Sequence, residues 1–111
     1  MDLYKQYLKE REDKDILISE FGFAVYKIEK DSIYLQDVYI IPSMRKKGLT
    51  KEFSNKIENI GKELNKKAIL TSFCLEAKNW KISKKVIKQC GFKYFTKDRW
   101  NKVIYCIKEL K

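Results

Sequence analysis

The chain has 111 residues, 25 of them Lys or Arg against 15 Asp or Glu, for a formal charge of +10. That length fits one domain, residues 1–111, and a chain this small buries roughly 65% of its unfolded surface, enough for a core without metal or disulfide staples. At 44% apolar and 14% aromatic it is too hydrophobic for a disordered basic tail, since such tails lack the apolar residues to fold.

Histidine is absent, and the three cysteines (Cys74, Cys90, Cys106) are far apart with no CxxC pair. A zinc site, a serine triad and a Cys–His dyad are thereby disfavoured. No apolar run approaches the ~20 residues of a membrane span. Met1-Asp2-Leu3-Tyr4-Lys5 lacks the apolar core of a signal peptide, so the expected location is cytoplasmic. Of the basic residues 22 are lysine, and Lys, Ile and Asn together make 40 of 111. AT-rich coding produces that bias by itself, and a chain that reads bases or clamps phosphates bidentately uses more arginine. A solvated lysine surface is the plain reading; a polyanion partner, nucleic acid included, is the alternative that the field of +10 charges keeps open.

Residues 2–13 read as a helix, with Leu3, Tyr4, Tyr7, Leu8 and Arg11 at helical spacing and Asp2 as its N-cap. Ile16-Leu17-Ile18 is a short apolar run closed by a bend over 20–22. Phe21–Ile28 and Ile33–Ile41 are β-rich and joined by the polar link Lys30-Asp31-Ser32, which predicts an antiparallel hairpin. Pro42 ends the second of these strands, because it cannot donate to a ladder.

The period then changes. Phe53, Ile57, Ile60 and Leu64 form one stripe of a helix over about 49–65. Ala68–Leu75 reads as a buried strand. Asn79 is placed to cap a helix over about 80–90, with Val86, Ile87 and Cys90 inward and Gly91 at the position after the helix that favours glycine. Phe92–Thr96 and Val103–Ile107 close the chain as a hairpin around Asp98-Arg99-Trp100-Asn101. The strand–helix–strand unit over 33–75 predicts one parallel pair in a mixed α+β sheet.

The most informative stretch is Val38-Tyr39-Ile40-Ile41-Pro42-Ser43-Met44-Arg45-Lys46-Lys47-Gly48-Leu49-Thr50. A strand ends, a basic loop with one glycine follows, and a long helix begins. Such a junction points free amides and a positive dipole end at one spot, which suits a phosphate or pyrophosphate. Gly48 allows a close backbone approach that a Cβ would block.

This string resembles motif A of the GNAT N-acetyltransferase superfamily, whose pattern is (Arg/Gln)-x-x-Gly-x-(Gly/Ala) after a strand that often ends near a proline. Arg45-x-x-Gly48 and Pro42 carry the match. A second stretch agrees: Asn79, then a helix ending Ile87-Lys88-Gln89-Cys90-Gly91-Phe92-Lys93, is similar to the family's Asn followed by Leu-Tyr-x-x-x-Gly-Phe. The resemblance covers roughly residues 15–110. It implies a GNAT-like α+β fold, a mixed and mostly antiparallel sheet with helices on both faces. It also implies an abbreviated N-terminal part, since one helix stands where the family usually has a strand and two helices.

The resemblance further implies acetyl-CoA as co-substrate and an amine as acceptor, in a direct attack on the thioester. The pyrophosphate would lie on the amides of Lys46, Lys47, Gly48, Leu49 and Thr50 beside Arg45. The pantetheine would run along Val38, Tyr39 and Ile40, in the splay between that strand and the one at 68–75, and Asn79 would meet its arm. The Val38 amide would be the oxyanion donor, and Asp37 and Glu76, with Glu20 behind them, the candidate bases. Two departures stand out. Thr50 replaces the family's small residue, and Ile87 replaces the tyrosine that many members use to protonate the thiolate. The short N-terminal part leaves the acceptor side open, or to be completed in a homodimer. Tyr34 and Tyr39 read as sheet-packing aromatics, Cys74 and Cys90 as buried small hydrophobes, and Trp80 and Trp100 as packing or rim residues. Two rival readings stay open beside the enzyme: a catalytically silent CoA-binding or regulatory protein, and a nucleic-acid-associated one.

Overall fold

Alternation along the strands decides the layers. Ala24, Tyr26, Ile33, Leu35, Ile40, Ile69, Phe73 and Cys106 point to one side of a sheet, while Ile16, Phe23 and Val25 point to the other. The computed structural model describes residues 2–110, with side chains from Leu3 onward. In chain order the elements are α1 (Asp2–Glu12), β1 (Asp15–Ser19), β2 (Gly22–Ile28), β3 (Ser32–Ile40), a 3-10 turn (Pro42–Met44), α2 (Leu49–Glu63), β4 (Ala68–Cys74), α3 (Trp80–Gln89), β5 (Lys93–Asp98) and β6 (Val103–Glu109).

The six strands form one sheet in the order β1-β2-β3-β4-β6-β5. Every neighbouring pair is antiparallel except β3 and β4, which are parallel. The long connection through α2 makes that parallel pair possible, because a tight turn can join only antiparallel strands. On one face α2 and α3 cover the main core, where Ile33, Phe53, Ile57 and Ile69 are fully buried. On the other face α1 packs Leu8 onto Ile16 and Val25. Helices thus lie on both faces, and one helix precedes β1.

Several expectations are refined. The predicted stripe of α1 is mostly outside: Leu3, Tyr4 and Tyr7 are exposed and Leu8 alone is buried. The capping role expected of Asp2 concerns a side chain outside the described ones. In α2, Phe53 and Ile57 are buried, but Leu64 falls at the helix end and is exposed. The last hairpin is longer than predicted, reaching Asp98 and Glu109. Asn79 takes the N-cap position of α3 without a side-chain capping bond. Its backbone, at φ −104° and ψ 25°, is outside the extended region from which a cap reaches back. The chain enters α3 instead through tight turns, with Ala77 N–H donating to Cys74 C=O and Trp80 N–H to Ala77 C=O.

A half-buried ion pair ties the layers together. Lys108 Nζ lies 2.9 Å from Glu58 Oε2 and donates at 3.0 Å to the Cys90 carbonyl, so one side chain of β6 links α2 to the end of α3. Burial pushes the Cys90 and Cys106 thiols and the Tyr26 phenol up from their ordinary values. Among the described residues no helix is long and apolar enough to cross a membrane.

Candidate functional site

The parallel pair is short. β3 and β4 share three rungs, Ser32 with Ala68, Ile33 with Ile69 and Tyr34 with Leu70, and then part, although both strands continue. Two hydroxyl contacts mark the fork. Thr71 Oγ1 donates to the Leu35 carbonyl at 2.9 Å in the buried interior. Tyr34 Oη and Ser72 Oγ meet at 2.6 Å. Neither contact was anticipated; the one hint was a Thr-Ser pair inside an otherwise apolar strand.

Beyond the fork the strands leave a gap that opens into a cavity of ≈ 320 Å³ between β3, β4, α2 and α3. Its walls include Asp37, Val38, Thr50, Phe73, Trp80 and Ile87. Trp80 stacks on Phe73 with ring centroids 6.4 Å apart, so this tryptophan is a wall. Trp100 is 94% exposed in the β5–β6 turn.

The backbone of β3 supplies donors to the gap. Ile41 N–H donates to Phe21 C=O at 2.9 Å, and in an antiparallel pair alternate residues turn their polar groups toward the partner. Ile40 and Val38, one and three residues earlier, therefore turn their N–H groups away from β2 and into the gap. Upstream, Gln36 is an extra residue: Val25 pairs with Asp37 and Tyr26 with Leu35, which leaves Gln36 as a bulge. Bulges re-aim side chains beside functional sites. This one turns Asp37 to the α1 face of the sheet, where it is exposed and accepts from Gln36 Nε2 at 3.3 Å.

The loop before α2 continues the line of donors. Lys46 and Gly48 both have positive φ, 64° and 76°, and among the described residues none of the amides of Lys46, Lys47, Gly48, Leu49 or Thr50 donates to a protein acceptor. A Cβ built on Gly48 meets nothing within 4 Å. The glycine is needed there for its left-handed backbone, and the space over it is open. Lys46, Lys47 and Lys51 and the N-terminus of α2 make the spot electropositive.

Other expected residues fall elsewhere. Arg45 folds back, its Nε donating to the Ile40 carbonyl at 2.9 Å and its guanidinium 5.6 Å over the Tyr39 ring. It steadies the end of β3. Tyr39 stacks on Phe23 at 5.7 Å. Glu76 is outside the cavity wall and pairs with Lys102 at 3.5 Å. Glu20 is exposed in the β1–β2 turn, and Asn79 is exposed and does not line the cavity. Cys74 is half-buried on the cavity wall, unlike the buried Cys90. Asp37 is thus the one carboxylate lining the cavity among the described residues.

Solved structures of low sequence identity share the fold of this chain. An acetyltransferase of the GNAT family from Listeria monocytogenes superposes with a TM-score of 0.66 at 17% identity, over 83% of this chain and 59% of that one. The chain has the GNAT fold. A Bacillus subtilis acetyltransferase in complex with CoA gives a TM-score of 0.73 at 13% identity, over 99% of this chain and 86% of that one. YncA of Salmonella typhimurium, solved with its cofactor acetyl-CoA, gives 0.73 at 15%, over 99% and 73%. No protein-family model and no curated protein matches the sequence. The GNAT fold is here carried by geometry, with few shared residues.

Proposed function

We propose that residues 1–111 form one GNAT-like domain that transfers an acetyl group from acetyl-CoA to an amine. One observation carries this reading: two neighbouring sets of unpaired backbone donors, the amides of residues 46–50 in the loop and those of Ile40 and Val38 in the fork. Solved structures with the same fold hold CoA or acetyl-CoA. A pyrophosphate on the loop amides and a pantetheine laid along Val38, Tyr39 and Ile40 would satisfy those donors as a third strand would. Thr50, at the cavity wall, offers a hydroxyl beside the phosphates. Arg45 holds the strand end in place.

The chemistry follows from the same placement. The acceptor nitrogen attacks the thioester carbon, and the carbonyl oxygen gains charge that the Val38 N–H stabilises. The C–S bond then breaks and CoA leaves as a thiolate. Asp37, on the opposite face of the sheet from the phosphate loop, receives the ammonium proton, directly or through water. Glu76, solvent-exposed beside Lys102, is the second candidate base. Ile87 at the cavity wall donates no proton, so the thiolate departs unaided, which an ordinary thiol pKa near 8.5 permits.

The test is CoA release, followed by mass spectrometry, from acetyl-CoA and a panel of primary amines. Turnover that falls about 10²-fold in Asp37→Asn supports the base assignment. Bound acetyl-CoA without turnover on any amine would favour the silent reading, for which Ile87 speaks.

A further inference from the structure

On the other side of α3 lies a second cavity, of ≈ 490 Å³, larger than the one in the fork. Its floor is apolar, made by Phe73, Ile104 and Cys106, and Lys84, Lys88 and Lys93 stand on its walls. No Asp or Glu lines it. Lys84 and Lys88 are four residues apart on α3, hence on one face of the helix, and neither is in an ion pair among the described residues. Lys93 has a loose partner, Glu109 at 3.9 Å, with both side chains exposed.

We propose that this cavity binds a single-chain anionic amphiphile, a medium- or long-chain carboxylate, with its tail on the apolar floor and its head among the lysines. The volume falls within the ~300–1,000 Å³ of small-molecule sites. A concave hollow of that kind suits one flexible tail better than the flat contact a folded partner makes. Lysine heads on flexible stems can follow a carboxylate at the mouth while their methylenes cover the tail. The unopposed positive charge selects an anion over a neutral or cationic amphiphile. Phe73, Trp80, Ile87 and Phe92 line both cavities, so an occupant here would press on the wall of the fork.

The test is calorimetric titration with laurate below its critical micelle concentration, beside dodecyltrimethylammonium, which has the same tail and the opposite charge. The second protein is Lys84→Glu/Lys88→Glu, two exposed changes that leave the core intact, with circular dichroism as the check of folding. The expected result is saturable laurate binding, weakened at least tenfold by the double reversal, with the ammonium amphiphile bound at least tenfold more weakly by the unaltered protein. Amide shifts on laurate addition would cluster at Lys84, Lys88, Tyr94 and Ile104. No saturable laurate binding, equal affinity in the two proteins, equal affinity for the two amphiphiles, or shifts confined to residues 35–50 would each overturn the proposal.

Discussion

Thr71 donates its hydroxyl hydrogen to the Leu35 carbonyl at 2.9 Å, at the point where two parallel strands cease to pair. The bond satisfies a buried carbonyl that would otherwise face the gap, and so fixes where the fork begins. Thr71→Val keeps the shape and removes the donor. Leaving that carbonyl unpaired costs about 1–3 kcal/mol, to be read from urea unfolding. Because the fork also frames the proposed acyl-CoA site, the same variant should weaken acetyl-CoA binding, while Ser72→Ala, which removes a half-buried contact with Tyr34, should cost less stability.

Two glycines predict opposite results. A Cβ on Gly22 would collide with the Tyr39 carbonyl oxygen, against backbone that cannot yield without moving β3. Gly22→Ala should destabilise by about 2–4 kcal/mol, in the upper range for single substitutions. A Cβ on Gly61 would meet side-chain ends, Leu110 Cδ1 at 2.6 Å, then Ile69 Cδ1 at 3.3 Å and Ile33 Cδ1 at 3.6 Å. The Leu110 end can move, and alanine gains about 1 kcal/mol of helix propensity over glycine. Gly61→Ala should therefore change stability by less than about 1 kcal/mol. Urea midpoints of the two variants, compared with the parent, check both statements.

Much of the fold was legible because hydrophobic period and turn chemistry are local. Phe53 and Ile57 announced α2, Pro42 the end of β3, and Gly91 the end of α3. The strand-to-helix loop was legible from Arg45, Gly48 and the change of period around them. The fork was not, since it depends on where two strands distant in sequence stop pairing, and Thr71 and Tyr34 are ordinary strand residues until then. Asp37 was named from its position on the strand, but its placement on the α1 face comes from the Gln36 bulge, which periodicity does not reveal. Glu76 and Asn79 were named with equal reason, and the turn over 75–79 leaves both outside the cavity wall.

The Lys108–Glu58 pair is largely buried, with side chains 24% and 19% exposed. Lys108→Met leaves the Glu58 carboxylate with only the more distant Lys62, at 3.8 Å, and the Cys90 carbonyl without its donor. A loss of about 1–3 kcal/mol follows, larger than for an exposed pair such as Lys93–Glu109. Denaturant unfolding of Lys108→Met and Lys93→Met separates the two cases.

Alkaline pH should destabilise the protein. Burial raises the Cys90 and Cys106 thiols and the Tyr26 phenol above their unfolded values. The unfolded chain then releases those protons first, so stability is fully present below the unfolded thiol pKa and is lost as pH rises above about 9. Melting temperature should be flat from pH 7 to 8 and fall beyond that. In the native protein at neutral pH a thiol reagent should modify Cys74 first, with Cys90 and Cys106 reacting only on unfolding. Rapid native modification of Cys90 would contradict this.

The central claim is that the free amides of residues 46–50 and the fork hold acyl-CoA. Its most direct test is titration calorimetry of the purified protein with acetyl-CoA and with CoA, beside Gly48→Glu. The glutamate puts a negative charge and a strained positive-φ side chain where the pyrophosphate would lie, at a position whose Cβ touches nothing in the folded chain. The account predicts saturable binding by the parent protein and its loss in a Gly48→Glu variant that stays folded. No binding by the parent up to millimolar acetyl-CoA, or equal binding by the variant, would contradict it.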